Sequence, residues 1–195
     1  MSTGADDNAF PRLVSLACHD LRTPLATVSG FAKTLTRAGS LAPPADRYVA
    51  MIETAAAQMA ELLDELGLVA RIEGGRYEPA LREADTLELA QAAADDLGED
   101  RVAVSGTGTT VRVDVEATRR AVAALAQSAL RHGGFDEVRV AVEGRELRIA
   151  PITDASRPVV LGEDLRDLGA AAAGILIRRL GGDLAVEDET LIVSF

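Results

Sequence analysis

Cysteine occurs once in these 195 residues, at Cys18, and tryptophan does not occur at all. A single thiol has no intrachain partner, which excludes a disulfide framework and removes any argument for an oxidising compartment. Long apolar runs are also missing. The longest, residues 169–177, falls far short of a membrane span. Residues 1–10 have neither a basic start nor an apolar stretch, so no secretory signal is expected and a cytoplasmic location is the default. Asparagine is confined to Asn8 and histidine to His19 and His132, which leaves few candidates for chemistry that needs either side chain.

The rest of the composition suits a folded protein. With 48% hydrophobic and 26% charged residues, the chain can bury the core of one ordinary domain or two small ones, unlike a disordered or collagen-like sequence. The net charge of −11 disfavours nucleic acid as the main partner, and no membrane partner is expected. The charge is unevenly spread. Residues 10–38 carry Arg12, Arg22, Lys33 and Arg37 against Asp20 alone, whereas residues 45–73 carry Arg47 and Arg71 against six carboxylates. One basic segment therefore lies in an acidic chain.

Hydrophobic spacing divides the sequence in two. From Phe10 the apolar residues step through Val14, Ala17, Leu21, Pro24, Val28, Phe31 and Leu35, the spacing of a helix packed lengthwise on others. A turn cluster at residues 39–44 ends it, with Pro placed to open a second helix. That helix has one stripe at Tyr48, Ile52, Ala55, Met59, Leu62, Leu66 and Val69 and another at Val49, Ala56, Leu63 and Ala70. So wide an apolar face predicts two hairpins pairing into a four-helix bundle, a homodimer built on residues 9–73. Gly74 and Gly75 end the hairpin.

Beyond them the period changes. Helices are expected at 86–97, 116–132 and 164–180. Strands are expected at 101–105 and 110–114, joined through Gly106 and Gly108, then at 137–143 and 146–152, turning at Gly144. A closing hairpin is expected at 183–187 and 190–195. The predicted fold class is α+β: an antiparallel helical hairpin forming a dimeric four-helix bundle, then a two-layer α/β sandwich over 78–195.

His19 stands out on the first helix. With Val14, Leu21 and Val28 at heptad position a, His19 falls at f, furthest from that stripe, with Arg22 and Thr23 one turn along and Asp20 adjacent. An imidazole held outward on a rigid helix is a candidate nucleophile. Pro24 removes the hydrogen bond to the Asp20 carbonyl, at a cost of about 3 kcal/mol. Unbroken apolar spacing across Pro24 nonetheless predicts a continuing helix.

The run His19, Asp20, Leu21, Arg22, Thr23, Pro24, Leu25 resembles the phosphoacceptor box of sensor histidine kinases at all seven positions. The resemblance implies that His19 carries a phosphoryl group on a ring nitrogen. It implies that Asp20 orients the imidazole and takes its proton, and that Thr23 places a hydrolytic water in receiver dephosphorylation. Arg22, Leu13, Leu16 and Leu25 are then candidates for docking a response-regulator receiver domain.

Residues 78–195 resemble the ATP-binding domain that follows this hairpin, of histidine-kinase ATPase type, with departures. The position of its Mg²⁺-binding asparagine holds Ser128. The glycines of its adenine loop are missing around Asp154, and its phosphate-cradling loop reduces to Asp167, Leu168 and Gly169. Little length remains for a lid between Ile152 and the third helix. The nucleotide site near Ser128, Asp154 and Gly169 is therefore read as degenerate, with close helix packing on the sheet the preferred role of Gly169 and Gly174. No bound cofactor or metal is expected on this chain; Mg²⁺ is expected on the partner receiver.

The chain looks like kinase-like dimeric histidine phosphotransferases, and about nine residues precede the first helix, so no sensor segment is expected. The expected function is phosphotransfer through His19 to or from receiver aspartates, without ATP-dependent autokinase activity. The alternatives are a sensor histidine kinase, or a fragment of one, with a diverged ATP site; a non-catalytic receiver-binding scaffold; and a receiver phosphatase.

Overall fold

A computed structural model of the chain describes residues 9–39, 41–98 and 100–195. Residues 1–8, most of the segment searched for a signal, and Ser40 of the expected turn lie outside the described residues. The chain divides into two compact units between Tyr77 and Glu78. No described helix is long and apolar enough to cross a membrane.

The first unit is a hairpin of α1 (Ala9–Ala38) and α2 (Ala45–Glu73). The helices run antiparallel, as the pairs Arg22–Asp64 and Thr36–Glu53 require. At the end of α2, Gly75 takes a left-handed φ of +65° and the Arg76 amide reaches back to the Arg71 carbonyl at 2.8 Å. This closure satisfies carbonyls that the helix leaves without partners.

The face that α1 turns to α2 is not its larger apolar stripe. Cys18 and Ala32 are buried, with Arg22, Leu25 and Ser29 half-buried on the same face; Val49, Ala56 and Ala70 are buried on α2. The second α2 stripe therefore packs within the hairpin. The stripe through Phe10, Leu21, Val28, Phe31 and Leu35 stays exposed, as does that through Tyr48, Ile52, Met59, Leu62 and Leu66. A bundle helix needs contacts on two sides, and one hairpin supplies only one of them.

The second unit begins with β1 (Leu81–Asp85), α3 (Thr86–Leu97), β2 (Val102–Gly108) and β3 (Thr110–Asp114). It continues through α4 (Val115–Gly133), β4 (Val138–Gly144), β5 (Glu146–Ala150) and α5 (Arg157–Val160). It ends with α6 (Leu168–Arg179), β6 (Asp183–Glu187) and β7 (Thr190–Ser194). Five strands form one sheet in the order β2-β4-β5-β7-β6, in which only β2 and β4 run parallel. Val138, Val140, Val142, Leu147, Ile149, Leu191 and Val193 alternate onto its buried face. The intervening Arg139 and Glu143 face solvent, so α3, α4 and α6 cover a single side and the unit has two layers.

Three expectations need correction. Gly106 and Gly108 do not turn a hairpin: β2 runs through both and pairs with β4, while β3 pairs with β1, a strand the periodicity did not reveal. These glycines allow close approach instead. A Cβ on Gly106 would strike the Val142 carbonyl, and one on Gly108 would strike the Asp85 carboxylate. The third long helix starts at Leu168, four residues later than expected, behind the separate turn of α5. Gly174 does not serve close packing on the sheet, because a Cβ there would meet only the mobile end of Arg178, at 3.3 Å.

Gly106 also has a φ of +112°. Gly106→Ala is therefore expected to destabilise the protein by about 1–3 kcal/mol, the scale of a residue forced into a sparsely allowed conformation. A lowered urea midpoint with unchanged slope would check this.

Candidate functional site

His19 is exposed on α1, and its sequence neighbour Cys18 is only 1% exposed at the centre of the hairpin contact. Each residue advances about 100° round a helix, so His19 stands on one flank of that contact. The apolar stripe through Ala17, Leu21 and Val28 lies on the other. At seven-residue intervals His19 shares its column with Arg12, Ala26 and Lys33, all exposed or nearly so. The imidazole thus lies on the open, basic flank of α1.

Asp20 and Thr23 are exposed beside it, Thr23 one turn further on. Pro24 sits inside an unbroken α1 and has no N–H to give the Asp20 carbonyl. Below it the Thr27 hydroxyl donates to the Thr23 carbonyl at 3.1 Å. Leu13 and Leu16 are exposed at 63% and 56%.

Arg22 and Leu25 are placed differently from the other docking candidates. The Arg22 guanidinium donates to Asp64 Oδ1 at 2.7 Å, tying it to α2, and Leu25 is half-buried in the same contact. Gly67 leaves room for this: a Cβ there would come within 3.5 Å of both Arg22 Nη2 and Arg71 Nη1. Arg76 reaches back to Ser15 Oγ at 2.9 Å and the Pro11 carbonyl at 3.3 Å, fastening the start of α1. Asp64, Gly67 and Arg76 escaped sequence reasoning, since only the pairing of the helices brings them beside the histidine turn.

In the second unit, Ser128 is fully buried on α4 and its hydroxyl has no partner. One turn on, His132 Nε2 lies 3.1 Å from Asp167 Oδ2, and Arg131 Nη1 lies 3.5 Å from the same oxygen. The other oxygen of Asp167 accepts the Ala170 amide at 3.1 Å, capping α6, and the Asp167 side chain is 8% exposed. Gly169 lies in the first turn of α6 rather than in a loop.

Asp154 is exposed in the turn after β5. There Thr153 and Ser156 bond reciprocally, amide to hydroxyl, at 2.9 and 3.2 Å. Among the described residues no His, Cys, Asp and Glu side chains are grouped to hold a metal ion.

Residues 12–75 match the His Kinase A (phospho-acceptor) domain. The sensor histidine kinase TrcS of Mycobacterium tuberculosis is 39% identical over 70 residues, 35% of this chain but 14% of that protein. Full-length ShkA, crystallised with AMPPNP, superposes with a TM-score of 0.68 at 18% identity, covering 94% of this chain and 44% of its own. The Acinetobacter baumannii histidine kinase AdeS superposes with a TM-score of 0.58 at 18% identity, covering 90% of this chain and 97% of its own. The two superpositions establish the fold, a phospho-acceptor hairpin followed by the α/β unit of histidine kinases. Residues 12–75 are thus a His Kinase A phospho-acceptor hairpin, carried on a chain with the fold of histidine kinases.

Proposed function

We propose that this chain is a histidine phosphotransfer protein of kinase type, in which His19 exchanges a phosphoryl group with the aspartate of a receiver domain. The observation that carries the choice of donor is the Asp167 carboxylate. It lies buried at the N-terminus of α6, where the family resemblance puts the nucleotide's phosphates. An anion there would meet a fixed negative charge instead of free amide donors. Ser128 offers a buried hydroxyl where a hard cation prefers an amide or carboxylate oxygen. The turn after β5 spends its polar groups on itself. These residues do not fit ATP and Mg²⁺.

In the proposed exchange, a ring nitrogen of His19 attacks the phosphorus of the receiver's aspartyl phosphate. The N–P bond forms as the P–O bond breaks, returning the aspartate as a carboxylate, and Asp20 takes the proton released from the ring. Charge neutralisation on the transferring oxygens falls to the Mg²⁺ of the receiver. The basic flank around His19, with Leu13 and Leu16 beside it, suits the acidic pocket that such a partner must present. Residues 9–73 act as the dimerising phosphotransfer hairpin and residues 78–195 as its ATPase-like companion.

The second reading is a sensor histidine kinase, or a fragment of one, with a diverged ATP site. The comparisons favour it: the named relative of the hairpin is a sensor kinase, and the matched segment is a small part of it. Labelling separates the two. Under the first reading, radiolabel reaches His19 from a phosphorylated receiver and none arrives from ATP and Mg²⁺. Label from ATP on His19 would establish the second.

A further inference from the structure

We propose that Asp167 is a built-in anion, an internal carboxylate that fills the phosphate seat of the α/β unit and holds α4 and α6 together without a ligand. This deepens the reading above by naming what stands in place of the phosphates. A helix N-terminus attracts negative charge through its unpaired amides and aligned peptide dipoles. At α6 that demand is met from within, since Asp167 Oδ1 accepts the Ala170 amide at 3.1 Å.

The same carboxylate faces two groups of α4. His132 Nε2 is 3.1 Å and Arg131 Nη1 is 3.5 Å from Oδ2. Two nitrogen donors from one helix and the N-terminus of another thus converge on a side chain that is 8% exposed. Helix capping alone needs one oxygen and no second helix. On the same side of α4, one turn before His132, the buried Ser128 hydroxyl has no partner of its own. A polar, donor-rich seat therefore surrounds a charge supplied by the chain itself.

If the carboxylate substitutes for a bound anion, removing it should create a site for one. The test uses the full chain and inorganic phosphate, with chloride at matched ionic strength as control, read by thermal unfolding. Asp167→Ala is expected to lower Tm by several degrees, and millimolar phosphate should restore most of that loss. The wild type should shift much less. Asp167→Ser keeps a capping oxygen while removing the charge, so it tests the seat even where the Ala variant fails to fold; phosphate should stabilise it too.

Equal phosphate shifts in wild type and variants would overturn the inference, as would variants that phosphate does not stabilise. The outcome is separable from that of the labelling experiment. ATP labelling of His19 would defeat the phosphotransfer reading and leave phosphate rescue standing. Absent rescue would defeat the built-in anion and leave receiver labelling standing.

Discussion

His19→Ala is expected to abolish phosphoryl acceptance from a phosphorylated receiver while leaving the fold and receiver binding intact. The imidazole is exposed on a solvent flank of α1, and surface substitutions away from caps and networks change stability by no more than about 0.5 kcal/mol. Loss of signal would therefore mean loss of the nucleophile. Asp20→Asn keeps the volume and removes the base, so transfer should slow by about 10²-fold or more, the scale of a positioned acid–base group. Thr23→Ala should leave transfer unchanged and slow only the loss of phosphate from the receiver, because hydrolysis alone needs a water held there. Radiolabel on the separated proteins against time measures all three. Label on the His19→Ala variant would refute the assignment.

The structure changes what is expected of Arg22. On sequence grounds it looked like a docking cation; in the fold it is paired with Asp64 across the hairpin, with both side chains between 40 and 45% exposed. A pair so exposed contributes about 0–1 kcal/mol. Under the proposed function, docking is expected to rest more on groups left facing outward, Arg12 and Lys33 in the column of His19 and Leu13 and Leu16 beside it.

The hairpin was legible because its signals repeat. Apolar steps run across some thirty residues of α1, and the phosphoacceptor run sits within them. Assigning each stripe its neighbour was harder. Periodicity shows that a face is apolar but not which helix covers it, so the α1 contact through Cys18 and Ala32 went unseen.

The α/β unit was less legible where the elements are short. Residues Leu81–Asp85 form β1 with an exposed or half-exposed side chain at every position, which leaves no alternation to read. Gly106 and Gly108 carry the composition of a turn, but glycine also serves close backbone approach. Only the partner strand distinguishes the two. At the start of α6, the scarcity of glycine was visible in the sequence. That Asp167 turns inward to meet His132, thirty-five residues earlier, depends on the packing of α4 against α6.

The exposed stripes carry the second large effect, on assembly. Phe10 is 75% and Phe31 69% exposed on α1, and Leu62 is 50% exposed on α2. A run of large apolar groups at steps of three and four along both helices is too long for a solvated surface. Burying each Leu or Phe is worth about 1.5–3 kcal/mol, so the expected occupant is a second copy, which would match both stripes at once in a four-helix bundle. Light scattering at micromolar concentration should give the mass of a dimer. Leu62→Glu places an unpaired carboxylate in the seam at a cost of several kcal/mol, and the mass should fall to that of one chain or the hairpin should unfold. Ala26→Glu, in the column of His19 on the opposite flank, should leave the dimer intact. A wild-type monomer at this concentration would remove the bundle, and so would equal dissociation by both substitutions, because only Leu62 belongs to the stripe that the second copy covers.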